Sequence, residues 1–479
     1  MNPTDYANEL KQRNETIERQ AERIKQLEAK IDALEKLLAG KAEAKAAKKP
    51  TFSENYSLDK NARKKKRKKK STGRRRKDAK RDRVEQQYDI YWTGVDREPC
   101  VFHREQFAWR IVDGKAVYVA YQIYDLPDSK ELPLPTGLRN SRSEFGIEII
   151  LILAFLHYWI GMSIDHACEV MQFFTELELP KSQADSLLSQ LATDWNEQYD
   201  TIAELIALQA IVYIDETGWK VGKRSCYTWA FSTATHVLFR PGVGRGKAES
   251  EKVLGNLFSG IGVTDDYCAY KSMFSQHQLC WAHLIRKAIK LALQHPDVKQ
   301  YATFLDDLYE IYRQAVRYQK DGRLSVGREA KSHELQEDIR SLCTRHGEII
   351  DQDKTLDHKA AFIRLQNELV DNIVCLFVFV EHPEVEPTNN RSERNVRREA
   401  EVRKGGRTSK TSSGAKRRGV IMTVLATLQT RFTSFTLDTL LSEVDRWLEA
   451  GRSIFESELS TIRKANAPPL TAPVFLPAV

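Results

Sequence analysis

The chain has 479 residues, of which 41% are hydrophobic and 29% charged, with a formal net charge of +8. That length predicts about three folded units and ample material for a large core. Seven scattered cysteines do not make a disulfide framework, which excludes the small secreted scaffolds and fits a reducing cytosolic compartment. The start, Met1-Asn-Pro-Thr-Asp, shows no basic region running into an apolar one, so no signal peptide is expected. The most apolar stretch, Ile149 to Ile160, is broken by His157 and preceded by Glu148. It falls short of the roughly 20 residues of a membrane span and predicts a buried core helix. The positive charge is local. Lys60 to Arg83 holds 16 Lys/Arg against 2 Asp, a local +14 that leaves −6 for the other residues. The pattern is that of a basic arm on a mildly acidic body.

In chain order, residues 1–40 open with a heptad. Leu10, Ile17, Ile24, Ile31 and Leu38 stand seven apart, and Leu27 and Leu34 add the second seam position, which Arg13 and Gln20 occupy earlier. This predicts a coiled coil and a parallel homodimer. Residues 41–86 read as a disordered basic linker, with Lys64, Lys65, Lys66, Arg67, Lys68, Arg74, Arg75 and Arg76 as phosphate contacts to DNA. Residues 87–135 hold aromatic, β-branched runs, Tyr88-Asp-Ile-Tyr-Trp and Ala116 to Tyr124, and predict a small β-rich module. Residues 136–208 read as helical. Ile164–Phe174, a turn near Pro180 and Ser182–Leu191 fit either a DNA-binding helix-turn-helix or two packed core helices.

The character changes after residue 208. Ala210–Asp215, Cys226–Ser232 and His236–Arg240 predict three antiparallel strands, followed by an amphipathic helix from Lys247 to Phe258. Gly260–Asp265 and Gln276–Cys280 predict two further strands, then a helix from Trp281 to Leu293. The pattern βββαβ(α)βα gives a mixed sheet with the strand order of a ribonuclease H-like α/β domain, assembled from 209–296 and 383–412. Residues 297–382 read as an all-helical insertion, with Tyr301, Phe304, Leu305, Leu308, Ile311 and Tyr312 on one face and a closing helix around Ala360 to Val380. Glu386-Pro-Thr-Asn389 ends one element and caps the next. Residues 413–479 complete the chain with helices, one bearing Leu437, Leu440, Leu441, Val444 and Leu448, and a Pro-rich tail.

Three carboxylates carry the chemistry. Asp215 ends the first strand in YIDETGW, Asp265 ends the fourth in TDDYCAY, and Glu393 lies in the first turns of a capped helix in NNRSERNVRR. Such a trio suits two hard divalent ions, Mg²⁺ or Mn²⁺, that clamp the attacking and leaving oxygens of a phosphodiester. Alternation puts Asp215 and Glu216 on opposite sides of their strand, and Asp215 is favoured because it ends the apolar run. Asp265 against Asp266 is a closer choice. Around Glu393 stand Arg394, Arg397, Arg398, Arg403, Lys404 and Arg407, candidate phosphate clamps, although Arg397 at i+4 is also placed to pair with Glu393. Cys280-x-x-His283 offers half of a zinc site, which Cys100-x-x-His103 could complete. The more expected role of His283 is to hydrogen-bond a carboxylate or DNA near the site. Pro241-Gly-Val-Gly-Arg-Gly-Lys247 fails the phosphate-loop spacing and reads as a glycine-rich turn.

YIDETGW, TDDYCAY, QLCWAHLIRK (278–287) and NNRSERNVRR, in this order, strongly resemble the insertion-sequence-66 family of bacterial transposases over roughly residues 140–450. The resemblance implies a DDE enzyme on a ribonuclease H-like fold with a helical insertion before the Glu. It carries the family's first Asp onto Asp215, its Asp-x-Tyr onto Asp265-Asp266-Tyr267, and its Glu onto Glu393. The coiled coil also looks like that family. The cysteine-pair zinc module usual in the family is reduced here to Cys100 and His103, and the dense basic segment 60–83 is a candidate substitute for it. The expectation is a cytoplasmic, nucleoid-associated transposase that acts on element ends and target DNA without a membrane. The alternative is a catalytically inactive, DNA-binding remnant.

Overall fold

The computed structural model describes residues 80–92, 96–127, 132–255, 258–266, 270, 273–347 and 357–465. The heptad, the basic residues Lys64 to Arg76 and the Pro-rich tail lie outside the described residues. The end of the basic segment is within them, and it is ion-paired: Lys80 with Glu144 at 2.7 Å and Arg81 with Glu105 at 2.8 Å.

The architecture is mixed α/β. β1 (Gln86–Ile90), β2 (Val101–Val112) and β3 (Lys115–Asp125) form a sheet of order β1-β3-β2, parallel then antiparallel. Asp113 and Gly114 join β2 to β3 with φ of 50° and 79°, the two-residue turn that matches strand twist. β2 falls inside the expected β-rich module and carries an irregularity between Phe102 and Arg104 in its pairing with β3.

α1 (Ile147–Ala154) runs into a π-helical turn, Phe155–Trp159, and buries Ile149, Ile150, Leu151 and Leu153. The apolar stretch is therefore a core helix, and among the described residues no helix is long and apolar enough to cross a membrane. Glu148, at 4% exposure, meets Arg110 at 2.6 Å and ties α1 to β2. α2 (Ile164–Thr175), α3 (Lys181–Asp194) and α4 (Asn196–Ala207) follow. The two helices of the suggested helix-turn-helix are present, and α3 turns Ala184, Leu187, Leu188 and Leu191 into the core.

The second sheet contains β4 (Ile211–Val221), β5 (Arg224–Ser232), β6 (Val237–Val243), β7 (Ile261–Thr264) and β8 (Gln276–Leu279). Its order is β6-β5-β4-β7-β8, with antiparallel pairs up to β4 and parallel pairs beyond. Between β6 and β7, α5 (Ala248–Leu254) is shorter than expected and stops at Gly255, where φ is 76°. After β8 come α6 (Trp281–Gln294), α7 (Lys299–Lys320), α8 (Ser325–Gly347) and α9 (Asp357–Asp371). The single closing helix expected to reach Val380 is broken. A 3₁₀ turn, Ile373–Cys375, separates α9 from the short α10 (Val378–Glu381). There the chain turns to reach β8: the Leu376 carbonyl accepts Trp281 Nε1 at 2.6 Å, and Gln278 Oε1 accepts the Phe379 amide at 3.0 Å.

α11 (Asn390–Lys404), α12 (Ser412–Arg431), α13 (Leu437–Ala450) and α14 (Ile454–Ala465) end the described chain. Strand alternation divides the core in two. Val212 and Ile214 join α1, β6 and the Val420–Leu428 run of α12, while Tyr213 joins Val263, Trp281, Phe304 and Phe377. On α13 the buried side chains are Leu440, Val444 and Trp447. Leu437 and Leu448 from the expected face are exposed.

Candidate active site

The site grows from the register of two parallel strands. Tyr213 of β4 pairs with Val263 of β7, so Asp215 and Asp265 each stand two residues beyond that rung, with the same parity as Tyr213 and Val263. Asp215 does not end its strand as expected. β4 continues six residues past it, paired with β5 to the Val221–Arg224 turn. What ends near Asp215 is the parallel neighbour β7, whose last residue is Thr264. Alternation sends Glu216 the other way. Its carboxylate takes Arg245 Nε at 2.8 Å and the Tyr270 hydroxyl, and its side chain is 2% exposed.

Burial first, then the negative charges of Glu216, Asp265 and Glu393, hold the Asp215 carboxyl well above the usual carboxylate range. The Glu216 amide donates to Asp215 Oδ1 at 2.8 Å and acts in the opposite direction. Glu216 is also raised, mainly by burial, against the pull of Tyr270 and Arg245. Asp215 thus feels both Asp265 and Glu393 as nearby like charges. Carboxylate oxygens are the donors a hard divalent cation takes, and a cation would relieve such repulsion.

α11 is held over β4 and β5 by polar contacts. Asn389 was expected to cap it, yet its side chain makes no cap bond. Instead Asn389 Nδ2 donates to the Ile214 carbonyl at 2.7 Å, and Ser392 Oγ donates to the Ala230 carbonyl at 2.9 Å. This sets Glu393 beside the first turn of α6. Arg397 does not take Glu393. Arg286 Nη2 donates to both Glu393 oxygens at 3.3 Å, His283 Nδ1 lies 3.5 Å from Oε1, and the Cys280 thiol donates to Oε1 at 3.7 Å. Arg286 was missed from sequence, although it stands at i+3 from His283 on the same helical face. Burial, then the positive charge of Arg286, lowers the basicity of His283. Burial pushes the Cys280 thiol up to about 11. The suggested pairing of Cys280/His283 with Cys100/His103 does not occur. Cys100 donates to the Asp96 carbonyl at 3.4 Å, and among the described residues the one group of three metal-ligand types is Cys280, His283 and Glu393.

The basic residues after Glu393 divide by environment. Arg398 stacks over Trp159 at 3.7 Å, Arg403 donates to the Gly218 carbonyl at 2.9 Å, and Arg407 donates to the Gly161 carbonyl. Arg394, Arg397 and Lys404 are exposed. Farther along β4 and α11 lies a cleft of about 1130 Å³, lined among others by Lys181, Trp219, Arg407, Lys410, Lys416 and Arg417. Asp185 offsets Arg417 at 2.6 Å, and Lys410 and Lys416 are exposed.

A family model described as Transposase IS66 family matches residues 142–417. The matched span is more than half of the chain and contains every residue of this site. No curated protein matches the chain.

Proposed function

Because the chain belongs to the IS66 family of transposases, we propose that it is a DDE-type polynucleotidyl transferase that cuts DNA at the ends of an insertion sequence and joins the freed 3′-hydroxyl to target DNA. The observation that supports this reading is the register of β4 and β7, which sets Asp215 and Asp265 two residues beyond the Tyr213–Val263 rung, with Glu393 among the like charges felt at Asp215. The order β6-β5-β4-β7-β8 supports a ribonuclease H-like domain, and α6 to α10 fit a helical insertion between its last strand and the helix of Glu393.

Asp215, Asp265 and Glu393 would hold two Mg²⁺ or Mn²⁺ ions, which supply an activated oxygen nucleophile and stabilise the leaving oxygen. Asn389 and Ser392 fix the height of Glu393 over the strands. Glu216 stays out of the donor set, held by Arg245 and Tyr270 on the opposite side of β4. Arg286 neutralises Glu393 until substrate arrives, and its exposed side chain is then free to turn to a phosphate. We assign the backbone of bound DNA to Arg394, Arg397 and Lys404, and its continuation to Lys410 and Lys416 in the cleft. Arg398, Arg403 and Arg407 shape that surface through their bonds to the protein. Lys64 to Arg76 add sequence-independent affinity, and the heptad pairs two chains so that two element ends meet.

The test is single replacement of Asp215, Asp265 and Glu393 by Ala, with cleavage and strand transfer measured on DNA carrying the element ends in Mg²⁺. Each replacement is expected to lower the rate about a hundredfold or more while the far-ultraviolet circular dichroism is kept. Undiminished activity in any one of them removes that residue from the site. A wild-type chain that binds the ends and never nicks them is the inactive remnant instead.

A further inference from the structure

We propose that Cys280, His283 and Glu393 form a binding site for one thiophilic divalent cation, Zn²⁺ above all, separate from the Asp215–Asp265 pair. Zn–S bonds near 2.3 Å and Zn–N or Zn–O bonds near 2.0–2.1 Å place tetrahedral ligand atoms about 3.3–3.6 Å apart. Here Sγ to Oε1 is 3.7 Å and Nδ1 to Oε1 is 3.5 Å, and the three ligand atoms lie within 4.8 Å of one another. Two of the three separations are thus close to tetrahedral size before any ion enters.

The surroundings agree. Cys280 is fully buried at the junction of β8 and α6, and the Asn389 amide donates to its sulfur at 3.2 Å. Such an N–H···S bond is what steadies a metal-bound thiolate. His283 Nδ1 is buried without a hydrogen-bond partner, which leaves a nitrogen lone pair for a metal. The His283 side chain is 34% exposed, so a fourth ligand can come from water. Arg286 opposes the ion, but its side chain is 56% exposed and can withdraw into solvent. On binding, the thiol proton leaves to solvent as the sulfur–metal bond forms, and no electron moves. Sulfur and imidazole select zinc over magnesium, whereas the all-oxygen Asp215–Asp265 set does the reverse. Glu393 serves both, so zinc draws it away from the other carboxylates and lowers Mg²⁺-dependent cleavage. Only this last consequence rests on the transposase reading.

Full-length, metal-stripped, reduced protein is titrated with Co²⁺. The expected result is a near-ultraviolet thiolate-to-cobalt absorption that saturates at one ion per chain and is displaced by Zn²⁺. Cys280→Ser abolishes that absorption, and His283→Ala weakens Co²⁺ binding at least about tenfold. Asp215→Asn keeps the absorption while losing cleavage, which separates the two sites. Circular dichroism shows whether the variants are folded. An absent thiolate band in the wild type, or a band unchanged in Cys280→Ser, overturns the proposal.

Discussion

At Glu399 the environment of a single side chain decides the stability of the helix that carries Glu393. Its two oxygens receive Arg418 Nε and Nη2 at 2.8 Å each, and the side chains are 1% and 7% exposed. Glu399→Ala leaves a guanidinium buried without its partner, and we expect a loss of about 3–5 kcal/mol in urea unfolding. The double change Glu399→Leu, Arg418→Met should recover most of it, because charge and partner leave together. A single variant as stable as the wild type would contradict the bidentate contact. At this scale one feature of the candidate site was legible beforehand. Alternation alone separates Asp215 from Glu216, and the structure shows why it matters: Glu216 is held by Arg245 and Tyr270. The partners of Glu393 were not legible. Arg397 is nearer in sequence, but Arg286 reaches it from another helix, and sequence distance says nothing of that.

At the scale of elements, α12 was readable as a helix but not its closeness to β6. Thr423 and Thr427 Oγ1 accept the Phe239 and Val237 amides at 2.9 and 3.1 Å, so helix hydroxyls complete a strand that would otherwise carry unpaired buried donors. Gly419 makes room for this approach. A Cβ there would lie 2.9 Å from Pro241 Cδ and 3.0 Å from the Phe239 carbonyl oxygen. Gly419→Ala gains up to about 1 kcal/mol of helix propensity in isolation, yet it forces α12 off the sheet. We expect net destabilisation of about 1–3 kcal/mol, read as a lower thermal midpoint; an unchanged or higher midpoint would show that the helix has slack. Asn389 teaches a related lesson. Its place before a helix suggests a cap, but the Ile214 carbonyl claims its amide. The break between α9 and α10 is likewise tertiary, since Leu376 and Phe379 turn to meet Gln278 and Trp281.

At the scale of the molecule, the fold imposes a pH dependence. Burial, then the charge of Arg431, lowers His236 to about 4, and burial, then Arg418 and Arg417, lowers His157 to about 4 despite its bond to the Met162 carbonyl. Both are neutral in the folded chain and charge near 6.5 when unfolded. Their contribution is present above pH 6.5 and is lost as pH falls from there toward 4, on the order of 2–3 kcal/mol for each. Unfolding free energies measured across that window should fall with acid, and less so in a His157→Gln, His236→Gln variant. An equal slope in both proteins would refute the assignment.

What the sequence determined by itself is whatever follows from periodicity and order. Alternation and apolar runs specify the second sheet and its strands, the 3.6-residue pattern specifies the helices around it, and four motifs in series identify the family. Tertiary structure decided which distant groups share a space. It placed Arg286, Cys280 and His283 against Glu393, cut β7 short beside a continuing β4, and set some of the arginines after Glu393 to hold the protein while others stand exposed. The reason is physical. Local patterns are fixed by neighbours along the chain, whereas the charge, burial and partners of a site depend on packing between segments more than a hundred residues apart.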